Sequence, residues 1–251
     1  MHMESKTKYL IGTSGWTYEA WRHVFYPKEL TQSKWLEYYA EHFPIVELNA
    51  TYYQFFKKQN FIDWHDRVPK KFRFVVKIPR LITHYKRLLN ADNKIKQFCN
   101  LAEHLQEKLE LYLLQLPLNI PYHPERLRMT LKAFDDPKKV VVEFRNPIWL
   151  TREAKDLLSE FKCVFCTPDS PETKLLNWLT AKKGYIRLHG KKRWYNYRYS
   201  NQELQQVARF AKRLAQRGAR TIYVFFNNDY AGYAVENAMY LQTLLKSATK
   251  K

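Results

Sequence analysis

Eight short apolar, β-branched runs recur along this chain, each followed by a stretch with helical spacing. The runs are YLIGTSG, IVELNA, RFVVKIP, LYLLQLP, KVVVEFR, CVFCTPD, GYIRLHG and TIYVFFNND. Most are almost continuously apolar, as strands covered on both faces must be. Strand and helix alternating eight times within 251 residues predicts a (β/α)₈ TIM-type barrel. An open doubly wound sheet is the alternative, and the lack of a Gly-x-Gly-x-x-Gly turn after the first run weighs against it. No Pro/Gly/Ser-rich linker interrupts the pattern, so residues 1–251 read as one domain with a core at about 8–247.

The intervening stretches carry their own signals. SKWLEYYAEHF follows the first run, with Ser33 as its expected cap. NFIDWHDRV follows the second, with Asn60 as its cap. Next come DNKIKQFCNLAEHLQEKLE, HPERLRMTLKAF and TREAKDLLSEF. PETKLLNWLTA, after the sixth run, is long enough for one or two turns only, a shortened sixth helix. NQELQQVARFAKRLAQRG ends on Gly218, a suitable C′ residue, and AVENAMYLQTLLKSA closes the series.

Polar side chains gather at the C-terminal ends of the runs. They are Ser14, Glu47 and Asn49, Gln115, Glu143 and Arg145, Asp169, Arg187 and His189, and Asn227 and Asp229, with Lys77 just inside the third. Four of these sets are i, i+2 pairs, which a strand points to one face. If that face is the barrel interior, its upper layers are polar and its lower layers apolar. The C-terminal mouth is where such barrels place their active sites, and unpaired charge buried elsewhere would be costly. Glu47, Glu143, Asp169 and Asp229 can balance Lys77, Arg145, Arg187 and His189 there. A structural salt-bridge lattice is the competing reading of the same residues.

Two further segments fall where a substrate would approach. GTSGWTYEAW brings Trp16, Tyr18 and Trp21 directly after the first run. GKKRWYNYRYS, after the seventh, interleaves Lys191, Lys192, Arg193 and Arg198 with Trp194, Tyr195, Tyr197 and Tyr199. Alternating cations and rings suit single-stranded nucleic acid, a nucleotide or a sugar. The rings of TYYQFF read as packing. With 43 Lys and Arg against 24 Asp and Glu, the chain carries a formal charge of +19, which attracts polyanions. Cys99, Cys163 and Cys166 are too few and too odd in number for a disulfide scaffold, and fit a reducing compartment. Three-residue spacing in a strand sets Cys163 and Cys166 on opposite faces, which argues against a shared metal or redox role. MHMESKTKYLIG has no apolar signal region and no run approaches the roughly 18 residues of a membrane span. The expectation is a cytoplasmic protein with no membrane partner.

IGTSGWTYEAW, VELNATYYQFF, FVVKIPRLITH, LLQLPLNI, VVEFRNPIW, YIRLHG followed by YRYS, and FFNNDYAGYAVENA together resemble the YecE-like family, domain of unknown function 72. The resemblance runs in order from about Ile11 to Ala238. It implies a TIM-type barrel and supplies no assigned reaction. The barrel is similar in outline to the endonuclease IV and xylose isomerase group, which uses divalent metals at the mouth. This sequence departs from that group, since only His189 sits at a strand end, with His84 in the loop after Lys77 as a second candidate. Too few nitrogen ligands are present for a two- or three-zinc centre, and no cofactor is assigned. A single oxygen-liganded divalent metal would fall to Glu47, Glu143 and Asp169, although Arg145, Arg187 and Lys77 can satisfy the same carboxylates.

The residues accordingly suggest an enzyme, a phosphoester hydrolase being one form, acting on a phosphate-bearing or otherwise anionic substrate, nucleic acid included. In that scheme Glu143 or Glu47 is the general base, His189 an acid or base, and Asp169 or Asp229 orients water or an ion. Lys77, Arg145 and Arg187 hold anionic oxygens, and Asn49, Gln115, Asn227, Trp16, Tyr18, His84, Trp194 and Tyr199 complete the substrate contacts. The alternatives are a non-catalytic binder of an acidic metabolite or nucleic-acid end and, less favoured, a sugar isomerase or glycoside hydrolase using Glu47 and Glu143 as paired carboxylates.

Overall fold

The computed structural model describes residues 7–246. Its eight strands are β1 (Lys8–Thr13), β2 (Ile45–Leu48), β3 (Arg73–Lys77), β4 (Leu109–Leu116), β5 (Val140–Phe144), β6 (Val164–Asp169), β7 (Lys183–Leu188) and β8 (Thr221–Phe226). All pair in parallel, in the order β1-β8-β7-β6-β5-β4-β3-β2. The helices are α1 (Trp35–His42), α2 (Ala50–Tyr53), α3 (Lys58–Asp66), α4 (Asp92–Ala102), α5 (Pro124–Lys132), α6 (Arg152–Glu160), α7 (Asn201–Gln216) and α8 (Tyr233–Lys246). This is the expected TIM-type barrel. The last predicted helical stretch and the predicted core limit reach past Lys246, and their final residues lie outside the described ones.

Local chemistry sets the helix ends, in places differently from expectation. Ser33 lies in a short 3₁₀ turn (Gln32–Lys34), and α1 starts after Lys34 with no side-chain cap. Asn60 caps α3 from its third position, its Oδ1 accepting the Lys57 N–H at 3.1 Å. Ser200 and Glu203 form a reciprocal capping box on α7. Gly218 ends that helix in the left-handed region, φ +101°. No helix follows β6. The chain there runs extended, because Thr167 Oγ1 takes the Leu176 N–H (2.7 Å) and Thr180 Oγ1 bridges Phe165 N–H (3.0 Å) and the Cys163 carbonyl (2.6 Å). These hydroxyls supply the backbone partners a helix would otherwise provide.

Side chains alternate as period two requires. Leu10, Ile45, Val75, Val141, Tyr185 and Phe225 belong to the inner cluster, separate from the larger core between strands and helices. Cys166 lies in the inner cluster and Cys163 in the outer one, on the opposite faces expected. Above the inner apolar layers stand Ser14, Glu47, Lys77, Gln115, Glu143 and Arg187, all buried.

The barrel closes where the first two strands meet, and this seam is not a regular ladder. One bridge joins Ser14 to Glu47. From α1, the Tyr39 hydroxyl accepts the Thr13 N–H (2.9 Å) and donates to the Ile45 carbonyl (3.1 Å). Gly12 makes this approach feasible, since a Cβ there would stand 2.1 Å from the Ile45 carbonyl oxygen. Gly12→Ala should therefore destabilise the fold by about 3 kcal/mol through overpacking of backbone on backbone. Urea denaturation reads this directly, and an unchanged midpoint would show that the seam can open without cost.

Candidate functional site at the barrel mouth

The polar layer is a connected lattice centred on Arg187. This side chain is 0% exposed. Its Nε reaches Glu47 Oε2 at 3.0 Å, its Nη2 reaches Glu47 Oε1 at 2.6 Å, and its Nη1 reaches Glu143 Oε2 at 2.6 Å. Glu47 also accepts from Ser14 Oγ and from the Tyr185 hydroxyl, both at 2.6 Å. Glu143 also accepts from Gln115 Nε2 at 2.9 Å and pairs with Arg145. Arg145 lays its guanidinium on the Trp194 ring, 4.7 Å from the centroid, and donates to His189 Nε2 at 3.2 Å. Two carboxylates thus face two guanidiniums, and the lattice is neutral before Lys77 is counted.

The electrostatics follow from burial and this pairing. Burial alone would raise the Glu143 carboxyl, but Arg145 and Arg187 outweigh it and hold Glu143 well below the usual range. Such a carboxylate is a weak base. Burial, then Arg145 and Arg187, push His189 down to about 3, so the imidazole is neutral. With guanidinium donors on Nε2, the ring's single proton belongs on Nδ1. The Asn227 amide stands 3.0 Å from Nδ1, and a half-turn of that amide offers the proton an oxygen. His189 is therefore not the near-neutral titrating group its residue type suggests.

Lys77 differs from the other cations. Its Nζ lies 4.2 Å from the centroid of the Tyr52 ring, and among the described residues no carboxylate comes within ion-pair distance. Burial and then Arg187 pull it down to about 7, against the opposing pull of Glu143 and Glu47. It lines a cavity of about 610 Å³ at the mouth. Trp16, Tyr18, Tyr52, Tyr53, Phe56, Trp64 and Tyr195 supply its rings, and Asn49, Asn227 and Asp229 are among its other polar groups. Asn49 Oδ1 is buried with no hydrogen-bond partner. Burial raises the Asp229 carboxyl, which has no cation partner among the described residues. Tyr18 donates its hydroxyl to the Ser14 carbonyl at 2.5 Å. His84, in a single π-helical turn after β3 (Leu81–Tyr85), packs edge-on to Tyr52. Burial, then Lys77 and Arg145, bring its pKa down to about 4.

The candidate residues thus divide. Glu47, Glu143, Gln115, Arg145, Arg187, His189 and Trp194 build the lattice, which Asn227 joins to the cavity. Lys77, Asn49, Asp229, Trp16 and Tyr18 face the cavity. Asp169 and Tyr199 join neither. Val164 and Cys166 point inward, so Asp169 points outward, where its Oδ2 accepts from the Tyr199 hydroxyl at 2.9 Å beside a separate cleft with Lys191 and Glu203. The conditional metal set Glu47, Glu143 and Asp169 does not converge, and among the described residues no three His, Cys, Asp or Glu side chains form a metal-holding group. The paired carboxylates of a glycosidase or isomerase reading, Glu47 and Glu143, are both committed to one guanidinium. Tyr52, Tyr53 and Phe56, expected as packing rings, line the cavity. Their clustering after β2 was the available signal.

The family described as "Protein of unknown function DUF72" matches residues 10–251. The chain belongs to the DUF72 family. The UPF0759 protein YunF of Bacillus subtilis is 28% identical over 94% of this chain and 94% of its own length. The UPF0759 protein YecE of Escherichia coli is 32% identical over 43% of this chain and 37% of its own. The crystal structure of a DUF72 family protein from Thermotoga maritima superposes with a TM-score of 0.87 at 30% identity, covering 95% of this chain and 99% of that one. One from Enterococcus faecalis, at 23% identity and a TM-score of 0.82 over 95% of each chain, shares the fold. Among the described residues no helix is long and apolar enough to cross a membrane.

The lattice makes the fold acid-sensitive. An unfolded histidine protonates near pH 6.5 and an unfolded glutamate near about 4.3. His189 stays neutral and Glu143 stays ionised well below those values, so the unfolded chain binds more protons and stability is lost as pH falls. The His189 contribution is complete above about 6.5 and drains towards 3; that of Glu143 drains below the ordinary glutamate range. The urea midpoint should fall from about pH 7 to about pH 5, and His189→Asn should reduce that fall, His84 accounting for the part that remains, while leaving the fall below it. A midpoint constant across the upper limb in the unmodified protein would contradict this assignment.

Proposed function

We propose that this protein is an enzyme that takes a small anionic, phosphate-bearing substrate in the cavity at the barrel mouth. The observation that carries the reading is Lys77, a buried cation on the cavity wall with no carboxylate partner among the described residues, beside a lattice whose own charges already cancel. A buried unpaired cation is expensive unless something anionic visits it. The rings of Trp16, Tyr52, Trp64 and Tyr195 offer faces for a nucleobase or the apolar side of a sugar. Arg80, whose guanidinium lies over Tyr53 and Tyr85, is a second cation beside the cavity wall. Acid–base work falls to Lys77 and Asp229, the amine and the carboxyl that line the cavity outside the lattice, while Glu143 and His189 shape the electrostatics from behind. The +19 charge and the exposed Lys192 and Arg193, on the loop that carries Tyr195, support an end of a nucleic acid as a larger form of the same anionic substrate.

A thermal-shift panel of nucleotides, sugar phosphates and inorganic phosphate, each against its unphosphorylated counterpart, tests the reading. Phosphorylated compounds should raise the melting temperature, by about 2.7 kcal/mol of stabilisation at one hundred times Kd. Lys77→Met should remove most of that gain. Because the ammonium form favours an anion, affinity should weaken as pH rises through about 7 in the unmodified protein and stay flat in Lys77→Met. Equal stabilisation by phosphorylated and neutral compounds would sink the reading.

A further inference from the structure

The Lys77 amine has a second capacity, as a nucleophile. We infer that Lys77 forms an imine with the carbonyl carbon of a small anionic aldehyde or ketone bound in the mouth cavity. The inference rests on the reading of the cavity as an anionic-substrate site and names the reacting group of that substrate.

Four placements support it. Nζ stands on the Tyr52 ring face, 4.2 Å from its centroid, and on the cavity wall, so a substrate atom can reach it without displacing a salt bridge. Glu47 and Glu143, the carboxylates that could have held it as an ammonium, are saturated by Arg187 and Arg145. A lysine desolvated beside other cations is the arrangement that activates an amine for attack on carbonyls, and here burial and Arg187 leave a substantial neutral fraction near pH 7. Asp229 lines the same cavity, has no cation partner among the described residues, and supplies a carboxyl for relaying protons there.

The chemistry closes without any further reactant. The amine lone pair forms the N–C bond as the carbonyl π pair moves to oxygen, which takes a proton and gives a carbinolamine. The C–O bond then breaks as the nitrogen pair forms C=N. Both hydrogens of the neutral amine end on the departing water, relayed through Asp229. Nothing is oxidised or reduced.

The experiment is reductive trapping on the intact protein. Glycolaldehyde phosphate and glycolaldehyde are each incubated with cyanoborohydride near neutral pH, and adducts are mapped by peptide mass spectrometry. The phosphate probe should modify Lys77 at least tenfold faster than the chain's surface lysines, and Lys77→Met should lose only that adduct. Tyr52→Leu, which keeps the amine but strips the ring from it, should slow the labelling while surface lysines react as before. If Lys77 labels no faster than surface lysines while the phosphate probe still raises the melting temperature, the imine is refuted and the anion site stands. If neither labelling nor stabilisation occurs, the reading of the cavity falls as well.

Discussion

The structure depends on how one buried guanidinium is satisfied. Arg187 rises from β7 into the barrel and touches carboxylates from β2 and β5, bracing strands that are not neighbours in the sheet order. Removing three charges from water costs several kcal/mol each, and mutual attraction repays this only when the remaining hydrogen-bonding capacity is used. Here it is used: Nε and both terminal nitrogens find carboxylate oxygens, and the spare lone pairs accept from Ser14, Tyr185 and Gln115. A lysine at this position could not span both glutamates with a planar fork. The brace therefore fixes the barrel's upper interior and consumes most of the charge at the strand ends.

That consumption defines what is left for function. Arginines and glutamates at a barrel mouth would ordinarily be read as substrate contacts, but here they contact one another beneath Trp194. Among the polar groups that line the cavity, the Lys77 amine and the Asp229 carboxyl are ones the lattice leaves over. The larger constellation is a scaffold, and a small remainder can meet a ligand. The lattice still matters to that remainder, since the positive charge of Arg187 lies close enough to shift Lys77.

The fold was legible because β-branched runs and turn residues speak locally. The inward pairs Glu143 with Arg145 and Arg187 with His189 were legible because period two is a property of any strand. What joined Glu47 to Arg187 was not, since 140 residues separate them in the chain and only closure of the barrel brings them together. Asp169 was misplaced for a different reason. Its position at the end of β6 was correct, but its phase was not: with Cys166 inward, a residue three positions on must face out. PETKLLNWLTA carries helical spacing, yet Thr167 and Thr180 hold its backbone in extended form, a tertiary effect that spacing alone does not report. The rings of TYYQFF were ambiguous because an aromatic that packs and an aromatic that lines a cavity have the same composition.

The choice of residue at position 77 bears on which property the site uses. An arginine there would stay charged at any pH and would compete for Glu47 and Glu143 with a bidentate fork. A methionine or leucine would fill the same space beside Tyr52 without any desolvation cost. Lysine is the side chain that can be a cation for an incoming anion and, having given up its proton, a nucleophile towards the carbon next to it. Burial, the Tyr52 face and the guanidinium of Arg187 hold it between these two states, and the saturated glutamates keep it from settling into a salt bridge. A lattice that exhausts its own carboxylates on arginine is thus what keeps one lysine amine available at the mouth.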